Sequence, residues 1–186
     1  MFRFRLDIAG EVQMDRGIAR FSEGVADYRP IWGVIADDFA EQEKKQFKSE
    51  GEAGGQTWQE LSPAYAGWKA AQYPGTRILE RTGDLERSLT QANDPNGVRI
   101  EGRKTLTLGS KIPYAIYHQS IQPRKVLPRR PEIMLPEKFK RAVMAHMHGY
   151  LVQVANGCGF RVGRTESASA ESFRRAMRVG LGGYRW

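Results

Sequence analysis

The sequence is poor in the residues on which most enzyme chemistry rests. Cys158 is its one cysteine, which excludes an internal disulfide and any zinc site built on paired thiolates. The three histidines are His118, His146 and His148. The last two stand two apart, so on a helix they diverge by roughly 200° and cannot share one metal ion as an i, i+4 pair does. No apolar run approaches the roughly 18 residues that a membrane span requires, so no membrane partner is expected. Residues 2–8 alternate apolar and charged side chains and lack the continuous apolar stretch of a secretory signal, which fits assembly in the cytoplasm. There is no phosphate-binding loop or nucleophile elbow: Gly51-Glu-Ala-Gly-Gly55 lacks both the Lys-Ser/Thr ending and a preceding strand. Asp37 and Asp38 are adjacent, so they diverge on a helix and suit a solvated face better than a metal pair. No catalytic, metal-binding or cofactor-binding residue is assigned, and the chain is expected not to be an enzyme.

What is present is charge, unevenly placed. The 186 residues carry a net charge of +8, yet residues 1–60 sum to −4 and residues 121–186 to +9. Such asymmetry predicts two surfaces of opposite sign. Binding of nucleic acid by the basic end is one reading; head-to-tail packing of copies is the other, and composition does not choose between them. The length suits one domain with an appended tail.

Periodicity divides the chain into short elements. Phe2, Phe4, Leu6 and Ile8 share one face of a strand that ends at Gly10. A first helix is predicted over 12–26, weakened by Gly17 and Gly24. Pro30 opens a second, with an apolar stripe of Ile31, Val34, Ile35, Asp38, Phe39, Gln42 and Phe47. Its solvated side is expected to hold Asp37, Glu41, Glu43, Lys44, Lys45 and Lys48. After the glycine loop, Ser62-Pro63 is expected to cap and start a helix over 63–72, and Thr82 a short one burying Leu85 and Leu89. A β-hairpin is predicted from Val98–Gly102 and Thr105–Gly109. The Pro- and Arg-rich run 121–133 is expected to be extended. A last amphipathic helix spans 136–154, with Phe139, Val143, Met147 and Tyr150–Leu151 on one side and Gly157 and Gly159 closing it. Residues 160–186 are Gly-, Arg- and Ser-rich, with one short basic helix expected around 172–179. The predicted fold class is α+β: a small, mostly antiparallel sheet with amphipathic helices packed on it. The predicted division is a domain over 1–159 and a basic C-terminal extension over 160–186. Trp32 and Trp68 are expected in the core rather than stacked on bases, and Trp58 and Leu61 against the helix bearing Ile35 and Phe39.

Four motifs, in order, carry a family likeness. The first runs from Trp58 through Leu61 and Ser62; the second is Ile78-Leu79-Glu-Arg-Thr82-Gly83-Asp-Leu85. The third is Tyr114-Ala115-Ile-Tyr-His118-Gln119, and the fourth is Pro128-Arg-Arg130-Pro131. Together they resemble the phage virion morphogenesis family, the tail-completion proteins of Mu-like and related phages, over roughly residues 1–155. Two departures stand out: Ser120-Ile121 replaces the usual Phe-Gly, and 160–186 extends past the usual end. The resemblance implies a virion protein of the neck, assembled in the host cytoplasm. It implies a self-assembled ring, commonly six-fold, at the head-proximal end of the tail, meeting tail-tube and head–tail connector proteins. DNA passes nearby without specific binding. The alternative is a nucleic-acid-binding phage protein acting through the basic C-terminal third.

The motifs also have local physical readings. Thr82-Gly83 lets the chain turn sharply into the helix of Leu85. Tyr114 and His118, one helical turn apart, either pin the Arg-rich loop or divide, with Tyr114 in the core and His118 exposed. Arg124, Arg129 and Arg130 are candidate contacts to a neighbouring subunit's carboxylates, with facing the DNA path or solvent as the alternatives. Phe173, Met177 and Trp186 are candidate interface anchors in the extension.

Overall fold

The computed structural model describes residues 11–121 and 128–160. The expected strand over 2–8, residues 122–127 of the proline-rich run and the expected helix around 172–179 lie outside them. Among the described residues there are six α-helices and one two-stranded sheet: α1 (Glu11–Val25), α2 (Arg29–Lys48), α3 (Pro63–Gln72), α4 (Asp84–Thr90), β1 (Gly97–Glu101), β2 (Leu106–Ser110), α5 (Ala115–Gln119) and α6 (Glu137–Gly157). This is the α+β class expected, with the sheet reduced to one hairpin. No described helix is long and apolar enough to cross a membrane.

α2 is the axis of the packing. Pro30 stands in its first turn, where a missing N–H costs nothing. Asp27 just before it accepts from the Arg29 backbone N–H at 3.1 Å and from Nε at 2.9 Å. That guanidinium holds the Asp27 carboxyl down to about 2. α2 packs against both α4 and α6, and α1 packs against α6. Trp32 is buried, and its indole N–H donates to the Gly102 carbonyl at 2.7 Å, tying the hairpin turn to α2. Val34, expected in the stripe, is 48% exposed instead.

The glycines of α1 have a positive use. A Cβ on Gly24 would collide with the Val154 side chain, and one on Gly17 would stand 3.1 Å from the Cys158 carbonyl. They let α6 approach closely, which offsets their poor helix propensity. Tyr150 of α6 completes the joint by donating its hydroxyl to the Gly24 and Asp27 carbonyls at the end of α1, at 3.1 and 2.7 Å.

The core gathers Phe39 and Phe47 of α2, Trp58, Leu85 and Leu89 of α4, Ile112 and Ala115, with Leu108, Ile133 and Phe139 packed against it. In the hairpin Arg99 pairs with Leu108 and Ile100 with Thr107. Cross-strand partners share a face, so Leu106 and Leu108 turn inward while Ile100 turns out and is 63% exposed. Each strand alternates as predicted, but the apolar sets of the two strands lie on opposite faces.

The structure corrects three local expectations. Glu43 was placed with the solvated charges of α2, yet it is fully buried. It stands four residues after Phe39 and four before Phe47, so helical geometry puts all three on one face. Ser62 precedes α3 in extended conformation but makes no side-chain cap hydrogen bond. At α4 the capping position belongs to Gly83, at φ 75°, a left-handed conformation natural only to glycine. The Thr82 hydroxyl donates to the Asp84 carboxylate instead.

Candidate functional site: a tyrosine-rimmed groove

The site begins where α2 ends. Glu50 and Gly51 both adopt positive φ, 49° and 99°, and reverse the chain, so that the Trp58 N–H donates to the Glu50 carbonyl at 2.7 Å. Trp58 then meets Phe47 edge-on, with ring centroids 5.4 Å apart. Its indole N–H and the Gln46 amide both donate to the Pro131 carbonyl, at 2.9 and 3.2 Å. Beside it Arg130 donates from Nε to the Gln59 carbonyl at 2.7 Å and from Nη2 to that of Glu60 at 2.9 Å. The fourth motif is thereby clamped on the first.

α5 is fixed to the same segment. The Gln119 side chain donates to the Ile133 carbonyl at 3.0 Å and accepts from its N–H at 3.1 Å. This two-bond latch ties α5 to the segment after Pro131. The Tyr114 and His118 rings meet edge-on at 6.4 Å, with Tyr114 44% exposed and His118 half-buried. The division is the reverse of the alternative considered. Burial lowers the His118 pKa, and the Arg130 charge lowers it further.

Between these pieces lies a groove of about 1070 Å³. Leu61, Ser62, Leu79, Thr82, Tyr114, His118, Pro128 and Arg130 line it, so all four motifs contribute. The remaining motif residues support it from behind. Trp58, Leu85 and Ala115 belong to the core, and Ile78 packs against it. Gly83 makes the turn, and Gln119 and Pro131 hold the segment in place. Leu79 has φ 61°, a conformation costly for a residue with a branched side chain. The Ile78 N–H is held there by the Glu50 carboxylate at 2.9 Å.

One groove residue, Tyr65, escaped the sequence reading; it lines the groove together with Arg81 and Tyr117 of the motifs and with Lys69. Tyr65 stacks on Trp68 at 5.4 Å, and Trp68 is 46% exposed, not in the core as expected. Lys69 is 4% exposed, its ammonium donating to the Arg77 carbonyl. Burial lowers its pKa. The signal available was the pairing of Tyr65 with Lys69 at i, i+4, which puts both on one side of α3. Of the candidate interface residues, Arg129 is exposed, while Arg130 is 5% exposed and bound within the chain. Arg124, Phe173, Met177 and Trp186 lie outside the described residues.

No group of three or more metal-ligating side chains gathers among the described residues. Asp38 and His146 join α2 to α6 as a pair at 2.9 Å. The groove presents aromatic rings, main-chain-bound cations and open apolar surface, which are means of holding another molecule.

A family model for the phage virion morphogenesis family matches residues 11–142, well over half of the chain. The chain belongs to that family. The match takes in all four motifs and the entire groove, and it stops part-way along α6. Membership assigns the chain a part in phage virion morphogenesis. No curated protein and no solved structure gives a significant match.

Proposed function

We propose that the chain is a tail-completion subunit of a tailed bacteriophage. In this reading it forms a ring at the head-proximal end of the tail, commonly of six copies, and enables the tail to join the filled head. The observation that supports it is the convergence of all four family motifs on one groove. Residues far apart in sequence meet at a surface that is aromatic, partly apolar and open, as a protein-binding surface is. Rings require two unlike patches per subunit, and the opposite charge of the first and last thirds supplies a second asymmetry. The test is electron microscopy of particles from a phage lacking this chain. Filled heads and separate tails are expected. Normal virions would overturn the reading.

A further inference from the structure

Among the described residues, two cations in the groove lack a counter-ion. Lys69 and Arg130 are 4% and 5% exposed, and no carboxylate among the described residues lies within ion-pair distance of either. Both donate to main-chain carbonyls. Arg130 acts electrostatically on both Lys69 and His118, so the three basic groups lie near one another. The acids at the groove are Glu60, Glu80 and Asp84. Glu80 accepts from the Arg77 N–H, and Asp84 is held by Arg87 and Thr82. Glu80 and, from behind, Glu50 act on Lys69 only at a distance. A buried cation without a paired carboxylate is costly, and a carboxylate brought in by a partner offsets that cost.

At another part of the surface, α1 offers a helix face left exposed among the described residues. Its inward side, Gly17 and Phe21, lies against α6 and the residues after it. On the outward side Val12 is 61% and Ile18 50% exposed, with exposed Asp15 three residues from each. That spacing sets an acid between two apolar residues on one helix face. Arg16 and Arg20 flank the face and are also exposed. The groove is lined by residues from Gln59 onward and α1 takes no part in it, so one molecule can use both surfaces at once.

We propose that the groove of one copy receives the outward face of α1 from a second copy. Asp15 sits over Lys69 and Arg130, and Val12 and Ile18 lie against Tyr65, Leu79 and Tyr114. The contact is heterologous, so its repetition closes a ring or extends a filament. It rests on the ring reading and names the two surfaces that build the ring.

The test is sedimentation velocity on the full chain up to about 1 mM, where even an interface worth about 4 kcal/mol is half occupied. The unaltered chain is expected to assemble with rising concentration. Ile18→Asp spoils α1, and Tyr114→Glu spoils the groove; both positions are half-exposed or nearly so, and circular dichroism checks the fold of each. Each variant alone is expected to stay monomeric. An equal mixture retains one good α1 and one good groove, and is expected to form dimers and stop there. Val12→Asp and Tyr65→Glu replace either variant that fails to fold. An unaltered chain that stays monomeric overturns the proposal, as does a single variant that assembles normally or a mixture without dimers. Failure here leaves the requirement for head–tail joining untouched, because that is scored separately in virions.

Discussion

Glu43 of α2 and Glu132, in the segment leading to α6, are sealed from solvent in the same neighbourhood, at 0% and 2% exposure. Among the described residues, neither oxygen of Glu43 has a hydrogen-bond partner, nor has Oε2 of Glu132. Burial, and secondarily the charge of Glu132, pushes the Glu43 carboxyl up to about 9; burial pushes Glu132 up to about 7. The folded chain therefore holds both protons at a pH where the unfolded chain has released them.

A pH dependence follows, with a definite sign. Both folded pKa values lie above the ordinary 4.5. The stability they contribute is complete below about pH 4.5 and is lost as pH rises through about 7 and then about 9. Glu43→Gln keeps the shape and removes the larger cost. Its melting temperature is expected to exceed that of the unaltered chain at about pH 9 and to match it near pH 5, with about 2–4 °C gained per kcal/mol for a chain this size. A difference that does not change with pH would show that Glu43 is not buried as described.

Trp58 joins the core to the groove. Its ring packs on Phe47 and its indole N–H holds the Pro131 carbonyl, and at 3% exposure there is little water to fill its place. Trp58→Ala is expected to cost about 3–5 kcal/mol in urea unfolding. Trp58→Phe should cost less, because Gln46 still donates to the same carbonyl. Equal stability of Trp58→Ala and the unaltered chain would place this residue on the surface.

The fold was legible in the sequence where one rule decided the local outcome. The Ser-Pro at 62 and 63 set the start of α3, and the turn residues around Asn96 and Gly97 set the start of the hairpin. Pro30 and Pro136 marked the starts of α2 and α6, while α6 runs one turn past the expected end at 154 to Gly157. Burial was harder to read, because chemical type and helical position disagree at Glu43 and Trp68. Position won for Glu43, which shares a face with Phe39 and Phe47. Trp68 has Tyr65 and Tyr73 as ring neighbours on the surface. The motifs named much of the groove lining, but Tyr65 needed the three-dimensional meeting of α3, α5 and the Arg130 segment. The glycines of α1 read as weak points because their partner, α6, is distant in sequence.

Arg129 and Arg130 are neighbours with separable roles. Arg130→Ala leaves the Gln59 and Glu60 carbonyls without their donor and is expected to cost about 1.5–3 kcal/mol, the scale of a charge-assisted hydrogen bond. Arg129 is exposed, so Arg129→Glu should change stability by no more than about 0.5 kcal/mol. Should Arg129 contact a neighbouring subunit, that variant will fold normally and fail to complete tails. Normal tail completion by Arg129→Glu, measured as plaque yield, removes Arg129 from the interface.

The basic C-terminal third leaves nucleic-acid binding as the competing role, and salt separates the two. Residues 161, 164, 174, 175, 178 and 185 are arginines, and each phosphate that such a side chain neutralises steepens the salt dependence of binding. The comparison is between the full chain and a version ending at Phe160. That residue is retained because it packs edge-on against Phe21, with ring centroids 5.8 Å apart. Titration of both against duplex DNA at several salt concentrations is expected to give weak, sequence-indifferent binding by the full chain. It should vanish near physiological salt, where only contacts beyond the phosphate backbone keep a complex together. Tight binding that persists at that salt and disappears with the truncation would make DNA, not a neighbouring neck subunit, the partner of residues 161–186.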